Sequence, residues 1–247
     1  RVYHADGAQA RAGFFAQRSG VSGGSYVLLQ DLDRDGKTDV ASSLNGAVKI
    51  AFGNGQTRSF KPFGASYRGA ISLAAGNMDR DGAWEIAAGR SNGSEVKILE
   101  TSGSLRAAWH AYAPNFRGGV SVAVGDLDGD GKREVITGAG SSGGPHIRVF
   151  KTDGSVWGGG FFAFDRLDRG GVSVAAGDLD GDGKDEIVAG SGKGSVPRVR
   201  IFNFKGEIKR EFTIGSKSSS VGVTVSVTDV DGDGKMELMI SGVEPTL

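Results

Sequence analysis

Cysteine is absent from the 247 residues, which excludes disulfide staples and zinc–thiolate sites and leaves the redox compartment open. Proline is scarce at 5 residues, so the 43 glycines fit neither a collagen nor a polyproline pattern and must serve turns instead. No apolar run approaches the roughly 18 residues that span a bilayer as a helix, and the first residues lack a basic-then-apolar leader pattern. The expectation is a soluble, mature or trimmed fragment with no membrane insertion. Net charge is zero, with 29 basic and 29 acidic residues, so there is no global field to attract nucleic acid. Histidine is equally sparse: His4, His110 and His146 have no spacing suited to a zinc site.

What is abundant is a repeat. Asp31-Leu-Asp-Arg-Asp-Gly36, Asn77-Met-Asp-Arg-Asp-Gly82, Asp126-Leu-Asp-Gly-Asp-Gly131, Asp178-Leu-Asp-Gly-Asp-Gly183 and Asp229-Val-Asp-Gly-Asp-Gly234 recur roughly every 50 residues. An alternating apolar segment such as Val172 to Leu179 precedes most copies, and another such as Glu186 to Ala189 follows each; both have strand character. A third run recurs as Val48–Ile50, Val96–Ile98, Ile147–Phe150 and Val199–Phe202. A fourth is aromatic, through Phe60 and Phe63, Trp109 and Tyr112, Phe161, Phe162 and Phe164, and Phe212. Four short strands per unit predict an all-β chain, residues 1–247, built as a single five-bladed β-propeller of four-stranded antiparallel blades. Val2-Tyr3 and Ala5-Asp-Gly7 match the third strand and turn of a unit, and the last unit stops after Val243-Glu-Pro245, before its third strand. Pairing of the N- and C-terminal segments would therefore close the ring and remove its free edges.

The loops, at 31–39, 77–85, 126–134, 178–186 and 229–237, carry oxygen ligands at the spacing a hard cation needs. Calcium takes six to eight oxygens in flexible geometry, whereas magnesium demands a stricter octahedron and sheds water reluctantly. Positions one, three and five supply side-chain oxygens: Asp31, Asp33 and Asp35; Asn77, Asp79 and Asp81; Asp126, Asp128 and Asp130; Asp178, Asp180 and Asp182; Asp229, Asp231 and Asp233. Position six is Gly, for the sharp turn. Position seven offers its carbonyl, at Lys37, Ala83, Lys132, Lys184 and Lys235, and position nine is always acidic: Asp39, Glu85, Glu134, Glu186 and Glu237. The EF-hand expects its closing Glu at position twelve, where this chain has Ser42, Ala88, Thr137, Ala189 and Ile240. Without a cation, so many carboxylates in one short turn would repel strongly. About five calcium ions are expected, weakest at the Asn77 loop; they would move the net charge from 0 to about +10.

These loops, set between strands and repeated through essentially the whole chain, resemble the FG-GAP (VCBS-type) repeats of integrin alpha-subunit propellers and of many bacterial surface proteins. The resemblance implies calcium in the hairpin joining the first two strands of each blade, an extracellular or cell-surface location, and adhesion or carbohydrate binding as a common role. Five units stand where integrins usually have seven, and the FG and GAP signatures are degenerate, at Phe52-Gly53, Phe63-Gly64 and Gly138-Ala-Gly140.

Enzyme motifs match only superficially. Gly20-Val-Ser22-Gly-Gly24 and Gly140-Ser-Ser142-Gly-Gly144 fit the nucleophile elbow but lack its strand–turn–helix context. Gly138 to Gly143 fits a dinucleotide fingerprint yet leads into a strand, and Gly36-Lys37-Thr38 has Asp31 where a phosphate loop needs Gly. The expectation is no enzyme. The face opposite the Asp loops has its own repeated chemistry: Arg68, Arg117 and Arg169 stand at equivalent places, with His146 and Gly192-Lys-Gly-Ser195 on the same side. Arginine forks there could clasp carboxylates or acidic sugars. The function expected is a calcium-stabilised binding module for an unknown glycan or protein. The alternatives are a structural or assembly propeller of a larger secreted or surface-layer protein, and a glycan-active propeller enzyme.

Overall fold

A computed structural model describes residues 2–3, 9–11, 26–214, 221–229 and 234–242, and these form twenty β-strands and no helix. β1 (Val2–Tyr3) and β2 (Gln9–Arg11) make a two-stranded antiparallel sheet. Four antiparallel meanders of four strands follow. The first is β3 (Val27–Gln30), β4 (Asp39–Leu44), β5 (Ala47–Ala51) and β6 (Thr57–Phe60). The second is β7 (Ile71–Gly76), β8 (Glu85–Arg90), β9 (Glu95–Glu100) and β10 (Leu105–His110). The third is β11 (Val120–Gly125), β12 (Glu134–Ala139), β13 (His146–Phe150) and β14 (Phe161–Phe162). The fourth is β15 (Val172–Gly177), β16 (Glu186–Ser191), β17 (Arg198–Phe202) and β18 (Ile208–Thr213). β19 (Thr224–Thr228) and β20 (Glu237–Ser241) form a final antiparallel pair. No ladder joins β20 to β1 among the described residues.

Burial grades across each sheet. The second strands β12 and β16 are buried at every residue, because sheets cover both their faces, and they read as runs of Val, Ile, Ala, Thr and Gly. The outermost strands β10 and β18 are largely exposed and carry charge. The core therefore lies between neighbouring sheets. Val48 and Ile50 of the first pack with Ile71 and Ile86 of the second. Val96 and Ile98 pack with Val122 and Val135, and Ile136 and Ile147 with Val174 and Ile187. Val188 and Val199 pack with Val225 of the last pair and with Val223 just before it. Each isoleucine buried in this way contributes roughly 1.5–3 kcal/mol. Phe150, Phe164 and Phe202 fill the outer part of these wedges, with Trp109 5.5 Å from Phe150 and Phe161 4.9 Å from Phe202. The aromatic fourth run of the third sheet shortens to two residues, preceded by the glycine triplet Gly158–Gly160, which has no side chains to pack.

Two repeated devices set the spacing between sheets. A serine at the second position of β7, β11 and β15 accepts a backbone N–H from the next sheet: Ser72 from Val122, Ser121 from Val174 and Ser173 from Val225. On the second strand a glycine admits the neighbour's carbonyl. A Cβ on Gly89, Gly138 or Gly190 would stand 2.5, 2.7 or 2.4 Å from the oxygen of Val120, Val172 or Val223. In the first sheet Ser43 holds the glycine's place, and its hydroxyl donates to the Ile71 carbonyl at 2.7 Å.

Candidate metal centres and the opposite face

Each Asp loop is the hairpin between the first and second strands of its sheet. Position six adopts positive φ in all five loops: Gly36, Gly82, Gly131, Gly183 and Gly234 lie between 81° and 94°, a conformation that glycine reaches without penalty. The acid at position nine begins the second strand and is buried, with Asp39, Glu85, Glu134 and Glu186 at 0%, 1%, 6% and 3% exposure. A backbone N–H from position two meets it each time. Leu32 N–H donates to Asp39, Met78 to Glu85, Leu127 to Glu134 and Leu179 to Glu186, at 2.7 to 3.1 Å. Position one accepts from the backbone of position six, as in Gly131 to Asp126 at 2.7 Å and Gly183 to Asp178 at 2.9 Å.

These constraints bring carboxylates together. The ligand atoms of Asp31, Asp33 and Asp39 all lie within 4.8 Å of one another, as do those of Asp79, Asp81 and Glu85, of Asp126, Asp128 and Glu134, and of Asp178, Asp180 and Glu186. Four acidic clusters thus could hold a metal ion. Asp35, Asp130 and Asp182 stand outside the converging groups; each accepts instead from the position-seven N–H of Lys37, Lys132 or Lys184. Asn77 accepts from Arg80 N–H, and Ala83 N–H donates to Asp81. In the fifth loop Asp231 and Asp233 lie outside the described residues, while Asp229 accepts from Gly234 at 2.9 Å and Glu237 starts β20 beyond Lys235.

The electrostatics differ between loops. Burial pushes Glu134 up to about 7, with the charges of Asp128, Asp126 and Asp130 adding to it. Burial also raises Glu85. Asp79 is lowered, by its hydrogen bond from Asp81 N–H and by Arg106. Asp31 Oδ1 is buried with no hydrogen-bond partner, an acceptor that a cation would satisfy. Two basic side chains missing from the sequence reading enter the clusters. Arg106 pairs with Asp79 and Glu85, and Lys209 with Asp180 and Glu186.

The opposite face carries the arginines at equivalent places, each turned back on its own loop. Arg68 donates to the carbonyls of Ala65 and Tyr67, Arg117 to Pro114 and Phe116, and Arg169 to Arg166 and Asp168. All three remain exposed. His146 is half-buried and stacked on Phe162 at 4.8 Å, and burial, reinforced by Arg148, holds its pKa below the ordinary histidine value. His110 pairs with Ser94 Oγ at 2.9 Å, and His4 lies outside the described residues. Between these loops is a cavity of about 290 Å³. Tyr26, Ser72, Ser121, Ser173 and Thr224 line it, one from the same place on each of the five innermost strands or its start, together with loop glycines and Lys193.

A family model for the FG-GAP-like repeat matches residues 77–137, 126–189 and 178–240, more than half of the chain. The chain belongs to this family. Among solved structures, an Agrocybe aegerita lectin with specific recognition of non-reducing terminal N-acetylglucosamine is 20% identical at a TM-score of 0.50, over 87% of this chain and 60% of its own. The propeller of Dos1 is 16% identical at a TM-score of 0.50, over 76% and 47%. The exotype rhamnogalacturonan lyase YesX is 13% identical at 0.50, over 81% and 53%. The FG-GAP-like chain thus spans roughly half the length of the structures it matches, and the likeness shows its propeller-type fold. No curated protein matches the sequence.

Proposed function

We propose that this FG-GAP-like chain is a calcium-stabilised binding module, extracellular or at a cell surface, that closes as a five-bladed ring and takes a glycan or protein ligand at the mouth of its axial cavity. The observation that carries this reading is the cavity itself. Five equivalent strand positions converge on it, which supports a ring of five blades around one axis, and it opens on the face away from the Asp loops. Its lining is hydroxyls, glycine backbone, the three valines Val120, Val172 and Val223, and one cation, Lys193. The hydroxyls of Ser72, Ser121 and Ser173 each accept a neighbouring N–H and keep their own proton to donate. Such a mouth, with the exposed Arg68, Arg117 and Arg169 on loops of the same face, suits an oxygen-rich ligand that carries a carboxylate, with an acidic sugar as the simplest example.

None of the described residues lining the cavity is acidic or histidine. This favours binding without turnover, since glycan cleavage works through paired carboxylates or another proton-transfer group. In the Asp loops, the donor set suits calcium: hard oxygens only, several per site, in an irregular turn. There the ion would neutralise the converging carboxylates and brace the hairpin. A glycan array probed with the whole chain in calcium and in chelator tests the reading. Binding to uronate- or sialate-bearing glycans is expected, with a loss of about tenfold or more in Lys193→Glu, the order expected when a charge contact becomes repulsive. Absence of binding to every glycan in both conditions would remove the glycan ligand.

A further inference from the structure

We propose that the chain supplies its own cations to two of the loops, Arg106 closing the second loop to calcium and Lys209 weakening the fourth. The inference rests on the reading that the Asp loops take calcium. Arg106 and Lys209 occupy the same place: each is the second residue of an outermost strand, three residues beyond a turn glycine, Gly103 or Gly206. At that place the first blade has Arg58, which lies 5.1 Å from the centre of the Phe52 ring, and the third has Trp157, which packs 5.7 Å from Phe204.

The backbone leaves the same two oxygens facing this position in the second, third and fourth loops, whereas in the first both oxygens of Asp39 accept backbone N–H groups. In the second loop Asp79 Oδ1 and Glu85 Oε2 are taken by N–H groups, and Asp79 Oδ2 and Glu85 Oε1 receive the Arg106 guanidinium, the latter at 3.2 Å. In the fourth, Asp180 Oδ1 and Glu186 Oε2 are taken in the same way, and Lys209 Nζ reaches Asp180 Oδ2 at 2.6 Å and Glu186 Oε1 at 2.7 Å. In the third loop, no cation among the described residues reaches Asp128 Oδ2 or Glu134 Oε1. In the first, Asn54 Nδ2 meets Asp33 Oδ2 at 3.2 Å, and the buried Asp31 Oδ1 stays without a partner.

The two internal cations differ in strength. Arg106 pairs with Asp79 and Glu85, stands 3.7 Å from Asp81, and also meets Glu100 at 3.0 Å, a carboxylate outside the loop. Its guanidinium stays charged and forks across several oxygens at once, so a metal entering the loop would have to break all of these pairs. The loop that holds it is also the one with Asn77 in place of an acid, so three carboxylates remain to attract an ion. Lys209 touches two carboxylates, leaving Asp178 and Asp182 for an ion, and its flexible, strongly hydrated ammonium can swing into water. A cavity of about 200 Å³ lies beside Asp79, Glu85 and Arg106, so removing the guanidinium would open a path for an ion.

Calcium stoichiometry of the whole chain, measured by titration calorimetry and equilibrium dialysis, tests this. Arg106→Gln is expected to bind one calcium more than the unsubstituted chain, and Arg106→Lys to gain that site only at about tenfold weaker affinity, as in the fourth loop. Lys209→Gln is expected to bind the same number, with one site tightened by about tenfold. An unchanged count in Arg106→Gln, or a gain of equal affinity in Arg106→Lys, overturns the proposal. Should Arg106→Gln fail to fold, anomalous scattering from crystals of the unsubstituted chain grown in calcium decides. An ion between Asp79 and Glu85 overturns the proposal; ions in other loops with Arg106 still in the second support it. If the unsubstituted chain binds no calcium at all, the calcium reading fails, and a gain in Arg106→Gln would still show that Arg106 closes its loop.

Discussion

At the scale of single residues, the acid at position nine carries most of the electrostatics. It was legible in the sequence because it recurs beside an Asp-rich turn; its burial follows from its place at the start of a strand covered on both faces. Glu134 is the sharpest case, since it is buried among Asp126, Asp128 and Asp130 and no basic side chain among the described residues pairs with it. In the unfolded chain its pKa is about 4.5, and in the metal-free fold burial raises it to about 7. The folded form therefore binds its proton more tightly, so its stabilising effect is full below pH 4.5 and is lost as pH rises through 7. Denaturant unfolding in chelator is expected to show greater stability at pH 5 than at pH 8, by about 1–3 kcal/mol after allowance for partial solvation. Glu134→Gln should flatten that slope and remove one calcium site; an unchanged slope would show that the strain lies elsewhere. Arg106 was not legible in the same way. It is 21 residues from Glu85 on another strand, and although Arg58 and Lys209 stand at the same place, Trp157 breaks the pattern and Arg58 packs on Phe52 instead of its loop, so a basic residue there does not by itself mark a partner of the carboxylates. Superposing the repeats on their turn glycines is the one sequence signal that singles it out.

At the scale of elements, the strands and their order could be read from alternation and from the repeat, but the way one blade meets the next could not. Gly138 belongs to Gly138-Ala-Gly140, read in sequence as a degenerate family signature. In the fold it is the point where β12 touches β15, and a Cβ there would stand 2.7 Å from the Val172 carbonyl and 3.0 Å from two valine methyls. A backbone oxygen cannot rotate aside as a side chain can. Gly138→Ala is therefore expected to push the third and fourth blades apart and to cost about 1–3 kcal/mol, within the range for overpacked cores. Ser43→Ala in the first blade tests the converse arrangement, because it removes the hydroxyl that donates to Ile71 O and leaves that buried carbonyl short of a donor. A loss of about 1 kcal/mol is expected there. Midpoints from urea unfolding measure both, and a neutral Gly138→Ala would mean that the blades slide freely past one another.

At the scale of the molecule, the loops and the cavity lie on opposite faces, so under the proposed function calcium would act on a ligand through the scaffold and through net charge. The chain is neutral by formal charge, and each bound ion adds two positive charges to a surface whose opposite side already presents Lys193 and three exposed arginines. Calcium should therefore favour acidic ligands even without touching them, an effect that falls with added salt as screening shortens its reach. The bound ion should also stabilise the fold. Binding to the folded chain alone stabilises it by about 2.7 kcal/mol per site at a free concentration one hundred times the dissociation constant. For a domain of this size that is a rise in melting temperature on the order of 5–10 °C per filled loop. Calorimetric scans in chelator, magnesium and calcium should rank in that order, because magnesium keeps its water and cannot fit an irregular turn as readily. Equal melting temperatures in chelator and calcium would remove metal from the account of stability. The carboxylate clusters would then have to be held by internal cations and protons, as Arg106 and Glu134 already illustrate in two of the loops.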